Sequence, residues 1–284
     1  MLYTIIEKKS YHPLVTGLTV HAPLVAQAAQ PGQFVMLRVC EQGERIPLTL
    51  SDYDREKGTV SLLFQKVGLT TTLLGAMEPG DALPTLVGPL GHPTRLDGVR
   101  RACVVGGGLG CAIAYPIAAA LHRQGAYVDV IAGFRTGSLV FLEEELRAVS
   151  DTLTVCTDDG SYGRAGLVTA PLADFLNAQS GYDLVMAIGP LPMMKFVSLT
   201  TKPFGIKTIV SLNSLMVDGT GMCGCCRITV DGQVRFACVD GPDFDGHGVD
   251  YDEALRRSGY YREQEVAALR EHLCQCERGG TQDA

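Results

Sequence analysis

The sequence predicts an antiparallel β-barrel, then a parallel α/β unit, then a small cysteine-bearing unit. Three observations carry this. Short β-rich runs separated by turn residues fill roughly the first hundred positions. After them, continuous apolar strands alternate with helical patterns. Late in the chain, between Met216 and Asp240, cysteines and glycines crowd together. A length of 284 residues exceeds one typical domain. The expected units are residues 1–98, 99–210 and 211–284.

In residues 1–98 the strand patterns are LYTIIEK, LVTGLTVHA, GQFVMLRV, GTVSLLFQKV and DALPTLVG. Branched and aromatic side chains suit a pleated, half-buried surface. Gln30-Pro31-Gly32, Glu56-Lys57-Gly58 and Pro79-Gly80-Asp81 supply the turns between them. Regular spacing with little helical pattern points to a small barrel. One helix is expected near Thr70 to Met77.

From residue 99 the period changes. ACVVGG reads as a buried strand, followed by a glycine turn and an apolar helix through Leu121. AYVDVIAGF, TLTVCTDDG, DLVMAIGP and KTIVSL are further strands, and LEEELRAVS is a short helix. Asp250 to Leu273 reads as helix, and ERGGTQDA as a frayed tail.

Composition excludes several classes. A hydrophobic fraction of 46% can fill real cores, and a net charge of −7 with no basic run argues against nucleic acid as a partner. CAIAYPIAAAL is too short for a membrane span and is broken by Pro116. Ten cysteines without a charged leader and long apolar stretch suggest a reducing compartment, where thiols serve metals. The expected location is the cytoplasm, with no membrane contact.

The most informative stretch is MVDGTGMCGCCRITVDGQVRFACVD. Asp218, Cys223, Cys226 and Cys238 follow D-x4-C-x2-C-x11-C, the plant-type [2Fe–2S] spacing with Asp in the first ligand's place. Gly219, Gly221 and Gly224 allow a loop to bring backbone N–H groups close to sulfur. Zinc is the competing occupant, but it wants a fourth ligand and the nearest histidine is His247. Inert core thiols are the plainer alternative. Cys225 competes with Asp218 as fourth ligand, although it adjoins Cys226.

Elsewhere the motifs are weaker. VVGGGLG joins a strand to a helix, so Gly106, Gly107, Gly108 and Gly110 suit a phosphate at a helix N-terminus. Cys111 breaks the strict G-x-G-x-x-G pattern, and a plain tight turn is the competing reading. IGP ends a later strand and would set Gly189 and Pro190 beside a nicotinamide pocket. Asp158 and Asp159 end another strand and could bond ribose hydroxyls, or simply cap a solvated turn. In the first unit, Arg45 could pair a flavin diphosphate in forked geometry, and Thr49 could donate to a flavin ring. Gly68, Thr70 and Thr71 offer a second phosphate contact, and VGPLG offers Gly88 to Gly91. No catalytic dyad or triad is visible. Cys274-Gln275-Cys276 reads as tail or as a metal pair.

Taken in order, RIPLT, VGLTT, VGPLG, GGGLG, IGP and the cysteine loop resemble the ferredoxin–NADP reductase superfamily. More narrowly the chain is similar to electron-transfer subunits of dihydroorotate dehydrogenase. Through Asp218 it is also similar to small subunits of electron-bifurcating NADH-dependent ferredoxin:NADP oxidoreductases. The resemblance implies FAD on the barrel, with Arg45, Pro47, Leu48 and Thr49 in the flavin motif and Gly68 and Thr71 in the phosphate-contact loop. It implies NAD(H) on the α/β unit; Arg135, just after the second strand of that unit, could instead meet a 2′-phosphate, which makes NADP the alternative. It also implies a [2Fe–2S] cluster on Asp218, Cys223, Cys226 and Cys238. Electrons would pass from NADH through FAD to the cluster and on to a larger, glutamate-synthase-like flavin and iron–sulfur subunit. The rival functions are a dihydroorotate dehydrogenase subunit and a non-catalytic redox-sensing or zinc-bound module.

Overall fold

The computed structural model describes residues 3–178 and 181–279, with side chains described through His272. The first sheet contains β1 (Tyr3–His12), β2 (Val15–His21), β3 (Phe34–Arg38), β4 (Ile46–Asp54), β5 (Thr59–Gln65), β6 (Ala82–Leu83) and β7 (Thr85–Leu90). Its order is β6-β1-β2-β5-β4-β3-β7, and every pairing is antiparallel. The two edge strands are consecutive in sequence, separated only by Pro84, so the sheet curls into a nearly closed barrel.

Period-2 patterning drives the barrel core. Along β5, Val60, Leu62 and Phe64 are buried while their neighbours are only partly covered. They meet Ile5, Leu18, Leu37 and Leu50 inside. Each such side chain stabilises the fold by about 1.5–3 kcal/mol. The helix α1 (Pro23–Ala28) buries Val25 and Ala26 against this core, an element the strand-dominated sequence reading does not include. The expected helix near Thr70 is α2 (Leu69–Ala76).

The second sheet has the order β11-β10-β9-β8-β12-β13-β16. It contains β8 (Arg101–Gly107), β9 (Tyr127–Phe134), β10 (Thr152–Thr157), β11 (Arg164–Ala165), β12 (Leu184–Ile188) and β13 (Thr208–Ser211), all parallel. The hairpin β14 (Arg227–Val230) and β15 (Gln233–Phe236) stands apart. The seventh strand of the sheet, β16 (Asp243–Asp245), returns from beyond the cysteine loop and pairs antiparallel with β13.

Helices cover both faces of this sheet. α3 (Gly110–Arg123) and α4 (Glu143–Ala148) share one core. α5 (Thr169–Ala178) and α6 (Leu191–Thr201) share the other. That second core is continuous from Phe34 and Met36 of the barrel, through Met194 and Val197 of α6, to Cys226, Ile228 and Cys238.

After the short α7 (Ala237–Asp240), the expected single C-terminal helix is two, α8 (Tyr251–Ser258) and α9 (Arg262–Gly279). Gly259 ends the first, its N–H bonding back to the last turn of α8, so the periodicity is interrupted there. Glu277 to Gly279, expected to fray, belong to α9, and residues 280–284 lie outside the described residues. The side chains of Cys274 and Cys276 lie outside them as well. Among the described residues no helix is long and apolar enough to cross a membrane.

Candidate redox site

The parallel sheet reverses its winding between β8 and β12, which are hydrogen-bonded neighbours. Such a switch point opens a crevice at the carboxyl ends of the strands. Gly106 and Gly107 end β8, and Gly189 and Pro190 follow β12. The structure therefore brings these two sequence motifs together. A β-carbon on Gly189 would stand 3.1 Å from the Gly107 Cα. A β-carbon on Gly110 would stand 2.1 Å from the Ile188 carbonyl oxygen, so α3 can start this close to β12 only with glycine there. Gly108 takes a φ of +53° in the turn itself. Met193, at the start of α6, covers Gly107.

Asp158 and Asp159 follow β10, on the far side of β9 from this crevice. Asp159 accepts from the Ser161 hydroxyl at 2.6 Å and from the Ser161 N–H at 3.0 Å. Those bonds hold its carboxyl below the usual range. Its role in the structure is to close its own turn, while Asp158 stays exposed beside it.

On the barrel, Pro47, Leu48 and Thr49 lie in β4 opposite Met36, Val35 and Phe34 of β3. Gly68 is the N-cap of α2, and the space where its β-carbon would be is open. The Thr71 hydroxyl turns back to accept from the N–H groups of Val67 at 3.0 Å and Gly68 at 3.1 Å. Thr70 is buried and donates its hydroxyl to Glu44. Thr70 and Thr71 thus brace the loop, and the first-turn N–H groups of α2 remain as donors for an anion. Glu44 is a residue that sequence reasoning missed; its position beside Arg45 was the available signal.

Gly88 and Gly91 are contact positions. A β-carbon on Gly88 would meet Val35 at 2.8 Å. A β-carbon on Gly91, whose φ is +74°, would meet Phe34 and the Gly241 carbonyl, each at 2.9 Å. The VGPLG segment therefore seats the chain leaving the barrel onto the cysteine-bearing segment.

The cysteine loop packs on the barrel. Gly219, at φ +84°, would place a β-carbon 2.6 Å from Met36. Cys226 and Cys238 are buried with their sulfurs 3.2 Å apart, and the Cys238 N–H donates to Cys226 Sγ at 3.4 Å. That separation is far longer than a disulfide bond. Cys223 is exposed, and N–H groups of Cys225, Asp218 and Val217 hold its thiol below the usual range against a weaker burial effect. Burial and the Cys226 thiol push Cys238 up. Asp218 Oδ2 accepts from the Thr220 N–H at 2.9 Å, from the Thr220 hydroxyl and from the Met222 N–H at 3.2 Å. These bonds, with a smaller contribution from the Arg45 charge, keep its carboxyl below the usual range.

Among the described residues no three His, Cys, Asp or Glu side chains already stand in ligand geometry. The donor chemistry nonetheless fits an iron–sulfur group. Asp218, Cys223 and Cys226 share a loop of left-handed glycines, and Cys238 meets Cys226 from α7, with backbone N–H groups aimed at the sulfurs of Cys223 and Cys238. A barrel apposed to a doubly wound sheet, with a cysteine loop seated on the barrel, is the architecture of a reductase-type electron-transfer protein.

Comparison with known proteins agrees. Residues 213–250 match the iron–sulfur cluster binding domain of dihydroorotate dehydrogenase B. A Thermotoga maritima protein named as a homologue of the dihydroorotate dehydrogenase B (NAD(+)) electron transfer subunit is 46% identical over 272 residues, covering 96% of each chain. The Geobacillus thermodenitrificans electron transfer subunit of dihydroorotate dehydrogenase B (NAD(+)) is 37% identical over 251 residues, covering 85% of this chain and 95% of its own. A chain from the structure of NADH-dependent reduced ferredoxin-NADP oxidoreductase, described for flavin-based electron bifurcation, superposes with a TM-score of 0.90 at 43% identity, covering 96% of this chain and 98% of that one. The chain belongs to the family of dihydroorotate dehydrogenase B electron-transfer subunits and their homologues.

Proposed function

We propose that this chain is the electron-transfer flavoprotein subunit of an oxidoreductase complex, of the NADH-dependent ferredoxin:NADP oxidoreductase type. The observation that carries the reading is the packing of the cysteine loop onto the barrel, with Gly219 against Met36 of β3 and Arg45 near enough to Asp218 to lower its carboxyl. Two redox groups held on these elements would lie side by side.

FAD supplies two-electron exchange with NADH and one-electron exchange with a [2Fe–2S] cluster. The residues of this chain supply position. Arg45, Pro47, Leu48 and Thr49 hold the flavin against the barrel, and Gly68 with Thr70 and Thr71 shapes the phosphate contact at the α2 N-terminus. Gly88 and Gly91 set the wall between the flavin region and the cysteine loop. Gly106, Gly107, Gly108 and Gly110, with Gly189 and Pro190, form the nucleotide crevice. Asp158 and Asp159 lie beyond β9 from it, and Arg135, just after β9 with its carbonyl accepting from the Asp159 N–H at 3.3 Å, is the residue that would favour NADP. Asp218, Cys223, Cys226 and Cys238 ligate the iron, and Cys225 is the competing ligand. No side chain needs to move a proton in this scheme, because the work is orientation and separation.

The three units proposed for this division of labour are residues 1–98, 99–210 and 211–284. A larger flavin and iron–sulfur subunit is the proposed partner. Its docking face is the rim of the cysteine loop, where Met222 is 87% exposed and Val217 and Val239 are exposed beside it. The test is anaerobic purification with counts of flavin, iron and acid-labile sulfide, followed by reduction with NADH. A yellow-brown chain bleached by NADH supports the reading. A colourless chain carrying zinc refutes it.

The names of the relatives favour a second partner, a dihydroorotate dehydrogenase catalytic subunit. Asp218 in place of the first cysteine favours the bifurcating type. Copurification of the native complex separates the two.

A further inference from the structure

We propose that Arg257 is a positioning residue for the cysteine loop, fixing the Cys225 carbonyl and setting a permanent positive charge beside the cluster ligands. The inference rests on the cluster reading above. It concerns α8, which lies immediately beyond the stretch 213–250 matched by the family model.

α8 is anchored at its start and reaches back at its end. Asp250 caps it by accepting from the Glu253 N–H at 2.8 Å. The Tyr251 hydroxyl and the Ser198 hydroxyl of α6 share a bond of 2.8 Å, and Lys195 of α6 pairs with Asp252 at 2.7 Å. The first turn is thereby clamped to the helix that leaves the nucleotide crevice. One turn and a half later, Arg257 Nη2 donates to the Cys225 carbonyl at 3.2 Å. Its guanidinium lies 5.2 Å from the Tyr260 ring centroid, which restricts where it can swing.

A carbonyl cap alone would not need arginine. Among the described residues the Nε atom of Arg257 is buried and has no hydrogen-bond partner, and the same holds for Glu253 Oε2, one turn earlier on α8. Arg227, which follows Cys226 directly, faces Glu253 at 3.8 Å. A buried, unsatisfied N–H on a cation is costly unless something anionic completes it. Sulfur ligands of the loop are anionic when they hold iron, and an added electron makes the group more negative still. A fixed cation there stabilises the reduced form and raises the midpoint potential.

The experiment uses the full chain, anaerobically reconstituted with iron and sulfide, as wild type, Arg257→Lys and Arg257→Gln. Iron and sulfide are counted, and the midpoint is titrated by electron paramagnetic resonance. Expected are cluster in all three, a lower midpoint in Arg257→Gln, and a midpoint closer to wild type in Arg257→Lys. An Arg257→Gln midpoint equal to wild type overturns the proposal. So does equal loss of iron from both variants, which would make Arg257 structural only. A wild-type chain that takes up neither iron nor sulfide overturns the cluster reading and this proposal together.

Discussion

Thr94 donates its hydroxyl proton to Asp243 at 2.6 Å, joining the segment between the two sheets to a strand 149 residues further on. Asp243 is partly buried, but its Oδ1 is enclosed and has no hydrogen-bond partner among the described residues. Burial pushes its carboxyl up to about 6, against the pull of Thr94 and Ser211.

That shift fixes a sign. The folded chain holds the proton more tightly than the unfolded chain, whose carboxyl titrates near 3.8. The stabilisation is full below about pH 4 and is lost as pH rises through about 6. Asp243→Asn keeps an acceptor for Thr94 and removes the charge. Relative to wild type it should gain stability between pH 5 and pH 8, by on the order of 2 kcal/mol. Urea midpoints at the two pH values decide this, and an equal difference at both would refute the assignment.

Gly110→Ala should be costly. The added carbon meets the Ile188 carbonyl at 2.1 Å, and backbone cannot step aside as a flexible side chain could. A loss of about 2 kcal/mol or more is expected, with weakened NADH binding. Gly205→Ala, at φ +64° in open space, is the control and should cost about 1 kcal/mol. Thermal melts of the pair would show the contrast.

Asp218→Cys should retain the cluster and lower its midpoint, because thiolate donates more strongly to iron than carboxylate. A redox titration followed by electron paramagnetic resonance checks it. An unmoved midpoint would take Asp218 out of the ligand set and leave Cys225 as the fourth donor.

Cys226→Ser should remove iron and sulfide while leaving bound flavin, since Cys226 faces Cys238 of α7. The brown absorbance should vanish and the yellow remain. Loss of both colours would mean that the loop also holds the flavin.

Tyr182→Phe should cost about 1–3 kcal/mol. The Tyr182 hydroxyl donates to buried Asp129 at 2.5 Å, and the looser Arg101 contact, at 3.6 Å, would be left facing that carboxylate. Urea unfolding gives the number, and a change below 0.5 kcal/mol would mark the bond as dispensable.

Much of this architecture was legible in the chain. Period-2 alternation in GTVSLLFQKV identifies β5, and continuous apolar runs such as DLVMAI identify strands buried on both faces. The glycine turn and IGP sit at adjacent strand ends, which their positions after strands anticipate. What was not legible depends on contacts far apart in sequence. DFD has no strand signature, and β16 forms because Ser211, Val210 and Ile209 offer it an open edge. The bracing of Thr70 by Glu44 and the reach of Arg257 to Cys225 come from tertiary packing, which leaves no local pattern.

The return of β16 covers the β13 edge. A chain halted near Leu212 would bare the backbone donors and acceptors of β13 along an apolar strand, inviting self-association. In this chain the segment beyond the cysteine loop therefore seals the parallel sheet as well as carrying the loop.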